Sequence, residues 1–187
     1  VTLVKLFFWL DYFKNKKKLN EISCQKKLES FRKKNSFYLG PSFPPISGFN
    51  KNAAIIHYNA TNKTNLSLTG NGLYLLDTGG QYSWGTTDVT RTISLGKPSL
   101  YKKNIYTRVL KGHLALKNFQ LKNNTTGAQL DRTARKYLKQ IGLDYQHSTG
   151  HGVGYYLNVH ENPPSISKKS MDRFVVGQVV SNEPGYY

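Results

Sequence analysis

The N-terminal part of the chain carries apolar residues at helical spacing, interrupted by lysine-rich breaks. Residues 1 to about 35 therefore predict two helices. The predicted apolar side of the first helix consists of Val4, Phe7, Phe8 and Leu10. The second helix is predicted to begin with Ser23 as its N-cap and to continue to Lys34.

From residue 40 onward the pattern becomes strand-like. Gly-Pro and Pro-Pro pairs break the helical pattern, and apolar runs at 53–58, 73–77 and 86–95 predict strands. Apolar periodicity then predicts helices over 99–121 and 127–141, and strands and loops follow from His147. The expected fold class is α+β, with a helical lead-in over 1–40 and the main domain over 41–187.

Composition excludes several classes of protein. The single cysteine, Cys24, cannot form an internal disulfide framework or a thiolate metal cluster, and it fits a cytoplasmic location. The apolar run 6–10 is too short to span a bilayer, so no membrane partner is expected. The formal net charge is +17, but it comes mostly from scattered lysines, so no specific nucleic-acid partner is expected.

The segment 147–154 (HSTGHGVG) concentrates histidine and glycine, and His160 follows nine residues after His151. Its glycines allow close backbone approach and leave room for the imidazoles. Two aspartates, Asp77 and Asp88, lie upstream on strand-like segments joined by a turn. Such strands can bring both carboxylates to one sheet face.

Glu183 follows an apolar pair and precedes Pro-Gly, which predicts a carboxylate at the end of a strand. Carboxylate oxygens combined with imidazole suit two hard divalent ions such as manganese, with cobalt or zinc as alternatives. The sequence therefore indicates a dinuclear metallohydrolase.

Several of these residues also have ordinary structural explanations. Taken alone, Asp77 is better explained as a strand-end residue that accepts hydrogen bonds from the following turn. A single histidine in a strand, such as His57, is more often structural than catalytic, and Glu183 would serve as an exposed strand end. Asp88 is harder to explain in this way, because β-favouring residues flank it.

Five colinear segments resemble the cytosolic type of aminopeptidase P, the Xaa-Pro aminopeptidase, which is related to methionine aminopeptidase and prolidase. The segments are 54–58, 76–92, 110–113, 147–161 and 180–187. The resemblance implies the pita-bread fold, a curved antiparallel sheet flanked by helices, and two divalent metal ions, usually manganese. It also implies a substrate peptide with proline at its second position.

The resemblance assigns a role to each candidate residue. The implied metal ligands are Asp77, Asp88, His151 and Glu183. Asp88 would bridge both ions, and a hydroxide held between the ions would attack the carbonyl before proline. The implied substrate-binding histidines are His57, His147 and His160, of which His57 and His160 would also be catalytic.

The chain departs from the family pattern at its end. Family members use a second bridging glutamate on a strand that follows Glu183, whereas this sequence stops at Tyr187. We therefore expect a fold that is incomplete at the C-terminus, and little or no activity from the isolated chain. A homodimer or a complementing chain would be a source of the missing strand. A catalytically dead fragment and a peptide-binding module on the same fold remain the alternatives.

Overall fold

The two predicted N-terminal helices are present as α1 (Thr2–Phe13) and α2 (Glu21–Arg32) in the computed structural model, which describes residues 2–187. Leu6 and Leu10 of α1 are buried. The predicted apolar side of α1 is wrong in part, because Val4 is 56% and Phe8 75% exposed. The buried stripe instead follows the 3.6-residue period through residues 3, 6, 7, 10 and 13.

Helix α2 begins three residues earlier than predicted. Asn20, not Ser23, is its N-cap: the Asn20 side-chain oxygen accepts from the Ser23 N–H at 2.8 Å. In return, the Ser23 hydroxyl oxygen accepts from the Asn20 N–H at 2.9 Å. Reciprocal bonds of this kind form a capping box, and they satisfy two backbone donors that the helix itself leaves without acceptors.

The chain divides into two compact units between Pro98 and Ser99. In the first unit, α1 and α2 are followed by two antiparallel three-stranded sheets and one 3₁₀ helix (Asn50–Ala54). The strands are β1 (Tyr38–Pro41), β2 (Ile46–Phe49), β3 (Gly72–Thr78), β4 (Gly80–Tyr82), β5 (Gly85–Thr86) and β6 (Val89–Leu95). Strand order is β2-β3-β6 in one sheet and β1-β4-β5 in the other.

The core of the first unit lies where α1 and α2 pack on the sheet β2-β3-β6. Strand β3 contributes Tyr74 and Leu76, which are fully buried, and α2 contributes Cys24 and Leu28. Burial raises the pKa of the Cys24 thiol to about 11, so this cysteine is an apolar core residue at neutral pH.

The strand predicted over 53–58 is not formed. Residues 50–54 form the 3₁₀ helix, and His57 lies in the following turn with φ of 58°. Ile55 and Ile56, whose apolar character suggested a strand, are 52% and 49% exposed. The conformation of residues 50–58 is set instead by hydrogen bonds to Glu21.

Glu21, at the start of α2, is completely buried and accepts hydrogen bonds from four groups. Its Oε1 accepts from the Phe49 N–H at 2.7 Å and from the Asn52 amide at 3.1 Å. Its Oε2 accepts from the Tyr58 hydroxyl at 2.8 Å and from the Leu66 N–H at 2.9 Å. One carboxylate thus fixes both ends of the segment that carries His57.

The second unit contains two helices and one small antiparallel sheet. They are α3 (Leu100–Lys117), α4 (Gly127–Lys139), β7 (Gly150–Gly152) and β8 (Glu161–Ile166). Helix α3 is capped by Ser99, and the chain turns out of α4 at Gly142, whose φ is +73°. The helices and antiparallel sheets confirm the α+β class. Among residues 2–187, no helix is long and apolar enough to cross a membrane.

A charged cluster is built into the second unit. Arg135 of α4 is 1% exposed and donates from Nε to Asp131 at 2.7 Å and from Nη1 to Asp144 at 2.7 Å. Lys168 lies 3.0 Å from the other oxygen of Asp144. Partial burial acts to raise the pKa of Asp144, but the bonds from Arg135 and Lys168 outweigh it and lower that pKa to about 2.

We expect Glu21→Gln to lower the free energy of unfolding of the first unit by about 2–4 kcal/mol, because an amide donor would face groups that need an acceptor. Both tryptophans, Trp9 and Trp84, lie in this unit, so urea titration followed by tryptophan fluorescence measures it. Glu29→Gln, on the partly exposed side of the same helix, is the matched control and should cost less than about 1 kcal/mol. Equal losses of unfolding free energy in the two variants would contradict the structural role assigned to Glu21.

We expect the stabilisation contributed by Asp144 to depend on pH. Its folded-state pKa lies below the unfolded one, so the contribution is complete above about pH 4 and is lost as pH falls towards 2. Asp144→Asn should cost about 1 kcal/mol at pH 7, allowing for solvent screening, and little at pH 2. Circular dichroism during urea unfolding measures the difference. The exposed Asp11→Asn is the control, and a loss independent of pH would show the prediction to be wrong.

Candidate metal centre

Asp77 lies near the end of β3, the central strand of its sheet. It pairs with Ile46 of β2 on one side and with Thr90 of β6 on the other. Neighbouring side chains of β3 alternate between a fully buried face, with Leu76 and Thr78, and a half-buried face that includes Asp77. The carboxylate therefore projects from the sheet face opposite the helix-packed core.

The end of β3 is held by a buried arginine. Arg32, at the C-terminal end of α2, donates from Nη1 to the Thr78 hydroxyl at 2.7 Å and to the Gly79 carbonyl at 2.6 Å. These two acceptors directly follow Asp77 in the chain. The backbone that carries the candidate ligand is therefore fixed from the helix layer.

Asp88 lies outside the regular strands. The predicted strand over 86–95 is interrupted at residues 87 and 88, and β6 begins at Val89. Asp88 lies two residues before Thr90, which is the direct partner of Asp77 in the ladder. Asp88 therefore lies at the end of the ladder that contains Asp77, directly before the Thr78–Val89 pair.

The third candidate of this unit, His57, is an exposed turn residue. Its positive φ of 58° is uncommon for a residue with a β-carbon, although histidine tolerates it better than most. Tyr58, directly after it, is buried and bonded to Glu21, so the turn has a fixed anchor next to an exposed imidazole.

In the second unit, His151 occupies the middle of β7, between two chain segments. On one side it pairs with Ser165 of β8. On the other side runs the extended segment 179–183, in which the Ser181 N–H donates to the His151 carbonyl at 2.8 Å and the Glu183 N–H to the Thr149 carbonyl at 2.9 Å. The predicted strand leading to Glu183 is therefore extended and hydrogen-bonded, although only Val180 forms a regular bridge.

Glycines flank His151 because the neighbouring backbones are too close for a side chain. A β-carbon on Gly150 would lie 2.2 Å from the Ser181 carbonyl oxygen. One on Gly152 would lie 2.2 Å from the Glu161 carbonyl oxygen. The close approach expected for this glycine-rich segment is present at both positions, and it brings Glu183 next to His151.

The imidazole of His151 has a defined tautomer. Its Nδ1 lies 2.8 Å from the Gly152 carbonyl oxygen, which only accepts, so Nδ1 carries the proton. The other nitrogen, Nε2, lies 3.1 Å from Glu183 Oε1. When Nε2 is protonated as well, it donates to this carboxylate oxygen. In the neutral ring, with the proton on Nδ1, Nε2 offers a lone pair, and a cation next to both atoms would take the place of the Nε2 proton.

The charge of Glu183 is stabilised locally. Burial acts to raise its pKa, but hydrogen bonds from His151 and from the Ser181 hydroxyl outweigh it, so the net pKa is lower than usual. The Ser181 hydroxyl donates to Glu183 Oε1 at 2.6 Å and accepts from the His151 N–H at 2.9 Å. The carboxylate is thus ionised and oriented at neutral pH, as a hard-metal ligand must be.

The other two histidines of this unit differ in their surroundings. The exposed ring of His160 contacts the ring of His151 edge to face, with centroids 4.2 Å apart. The ring of His147 contacts the ring of Tyr145 in a tilted arrangement and that of Tyr187 edge to face, with centroids 4.9 Å and 5.5 Å away. Its Nε2 is buried and has no hydrogen-bond partner among residues 2–187, which is costly unless a ligand supplies one.

The imidazole and carboxylate donors fit a hard divalent ion, and the fixed tautomer of His151 fits it as well. Sequence reasoning missed Ser181, which orients both His151 and Glu183. It also missed the reciprocal bonds between His113 and Asn182: Asn182 donates to the His113 carbonyl at 3.0 Å, and its own carbonyl lies 3.1 Å from His113 Nδ1. For Ser181, the available signal in the sequence was a hydroxyl side chain two residues before the candidate carboxylate Glu183.

Residues 7–187 match the model of metallopeptidase family M24, and the chain belongs to this family. An uncharacterized peptidase of Schizosaccharomyces pombe is 46% identical over 189 residues, which cover 99% of this chain and 32% of that protein. A probable Xaa-Pro aminopeptidase P of Fusarium vanettenii is also 46% identical, over 99% of this chain and 31% of that protein.

Among solved structures, the X-prolyl aminopeptidase of Caenorhabditis elegans superimposes with a TM-score of 0.93 and 37% identity. The match covers 100% of this chain and 31% of the worm protein, which is described as a cytosolic enzyme with a di-nuclear active site. The predicted family and pita-bread fold are confirmed. The chain spans about a third of the length of these relatives.

We expect Ser181→Ala to weaken the binding of a divalent ion, with Mn²⁺ as the probe, about tenfold, because the hydroxyl orients Glu183 and the backbone of His151. Calorimetric titration of the purified chain with Mn²⁺ measures the affinity. Ser165→Ala is the control, since Ser165 pairs with His151 in the ladder but its hydroxyl bonds only to Ser167 within the described chain. Unchanged affinity in the Ser181 variant would remove this serine from the site.

Proposed function

We propose that the chain provides the metal-binding part of an aminopeptidase that hydrolyses the bond between an N-terminal residue and a following proline. The observation that carries this proposal is the His151–Glu183 pair, with Nε2 and Oε1 3.1 Å apart and Nδ1 committed to the Gly152 carbonyl. Membership of the M24 family supports it. In this proposal the metallopeptidase domain occupies 41–187, behind a helical lead-in over 1–40.

The carboxylates and the imidazole would hold two divalent ions, for which manganese is the first candidate. The proposed ligands are Asp77, Asp88, His151 and Glu183. Such ions supply Lewis-acid polarisation of a peptide carbonyl and lower the pKa of bound water. A dinuclear site in the worm relative supports the number of ions.

The remaining residues would prepare the site and receive the peptide. The proton of His151 stays on Nδ1, which donates to the Gly152 carbonyl, and this keeps Nε2 available as a ligand. The exposed imidazoles of His57 and His160 would hydrogen-bond the scissile peptide and stabilise charge in the transition state. His147, between two tyrosine rings, would contact the proline end of the substrate.

The proposed substrate is a peptide whose second residue is proline, and the proposed compartment is the cytosol. The names of the Fusarium and worm relatives support the first point, and the description of the worm protein as a cytosolic enzyme supports the second.

We expect Ala-Pro-Ala to bind about tenfold more tightly than Ala-Ala-Ala, and only in the presence of Mn²⁺. Fluorescence or calorimetric titration of the purified chain measures binding, and release of free alanine measures turnover. Any turnover should disappear in Asp88→Asn, whereas Asp11→Asn, an exposed carboxylate distant in sequence, is the control. Equal binding of both peptides without metal would instead identify a peptide-binding module.

A further inference from the structure

Segment 145–149, which leads into β7, is irregular, with bends at residues 146, 147 and 149, and it packs against helix α4. Tyr145 and Thr149 are buried and His147 is half-buried, whereas Gln146 and Ser148 are exposed. The buried partner on α4 is the guanidinium of Arg135. The ring of Tyr145 packs on this guanidinium, with 3.8 Å between its central carbon and the ring centroid.

Arg135 holds the backbone of this segment through two carbonyl oxygens. Its Nη1 donates to the Tyr145 carbonyl at 2.6 Å, and its Nη2 donates to the His147 carbonyl at 2.8 Å. The same guanidinium remains paired with Asp131 and Asp144. Only a planar fork with several fixed donors can satisfy four acceptors in these directions, and a lysine ammonium cannot.

Asp131 extends the connection to the candidate ligands. Its second oxygen accepts from the Thr149 hydroxyl at 2.7 Å, and the Tyr145 hydroxyl bonds to the same Thr149 oxygen. The Thr149 carbonyl, in turn, accepts from the Glu183 N–H at 2.9 Å. A continuous chain of hydrogen bonds therefore runs from Arg135 through Thr149 to the backbone of Glu183, and Thr149 is two residues from His151.

A buried ion pair is a poor device for stability alone. Removing both charges from water costs several kcal/mol per ion, and apolar side chains of similar size often stabilise a core equally well. The neighbouring buried positions of α4, Leu130, Ala134 and Leu138, are apolar, so an apolar pair would fit the helix pattern. The charged pair is distinguished by its directed bonds to the segment 145–149, which carries His147 and leads directly into the strand of His151.

We propose that Arg135, together with Asp131, is a positioning residue that sets the backbone of 145–149 so that His147, His151 and Glu183 take up their orientations. The proposal rests on the proposed metallopeptidase function, because it assigns these three residues to one site. Arg135 would contact neither metal nor substrate, and it acts through the carbonyls of Tyr145 and His147.

The test uses variants that avoid an unpaired buried charge. The double variant Arg135→Met/Asp131→Leu removes both charges together, and Thr149→Val removes only the hydroxyl that joins the pair to the segment. Arg132→Met, an exposed arginine of the same helix, is the control. Folding is checked first by circular dichroism.

Two readouts separate positioning from stability. The first is the imidazole NMR signals of His147 and His151 in the metal-free chain at fixed pH. The second is the affinity and visible absorption spectrum of bound Co²⁺. We expect the folded double variant to shift both imidazole signals, to weaken Co²⁺ binding about 10–100-fold and to change its spectrum, and Thr149→Val to give smaller changes of the same kind.

Folded variants with unchanged imidazole signals and an unchanged Co²⁺ spectrum would overturn the proposal. It would also be overturned if both variants failed to fold, because the network would then be a purely structural element. Failure of the wild-type chain to bind Co²⁺ would refute the proposed function instead, and the metal-free NMR signals would still decide whether Arg135 positions the segment.

Discussion

An ionised side chain buried in a protein must have its hydrogen-bonding capacity filled, and this requirement organises both units of the chain. In the first unit, the carboxylate of Glu21 accepts hydrogen bonds from groups on both sides of His57 in the chain. In the second unit, the guanidinium of Arg135 donates hydrogen bonds to backbone carbonyls of the segment that carries His147. In both cases an irregular segment with a candidate functional histidine is fixed by one buried charge on a helix.

The candidate metal ligands of the second unit depend on a second constraint, the close approach of three chain segments around His151. Gly150 and Gly152 permit it, because a β-carbon at either position would collide with a neighbouring carbonyl. The result is a fixed tautomer for His151 and an ionised Glu183 that Ser181 orients. The arrangement is that of a ligand pair with its own supporting hydrogen bonds.

Local patterns in the sequence predicted the helices, the two main strands around Asp77 and the family, because these features follow from periodicity and from short motifs. The errors arose where tertiary polar contacts outweigh apolar character. Ile55 and Ile56 suggested a strand, but the bonds of Asn52 and its neighbours to Glu21 impose a 3₁₀ helix and a turn. Asn20 and Ser23 are both good caps, and only their reciprocal hydrogen bonds show which one begins the helix.

The role of Arg135 was not predictable in the same way, since a charged residue on a helix with several basic side chains usually faces solvent. The available signal was an Asp-Arg pair four residues apart, Asp131 and Arg135, on the side of α4 that also carries Leu138. The network is made of this chain's own groups, and through them Arg135 and Asp131 hold the backbone of His147 and the side chain of Thr149. A backbone that is held in place loses less conformational entropy when an ion or substrate binds. The buried pair of Arg135 and Asp131, although costly to desolvate, therefore favours binding at the residues that it holds in position.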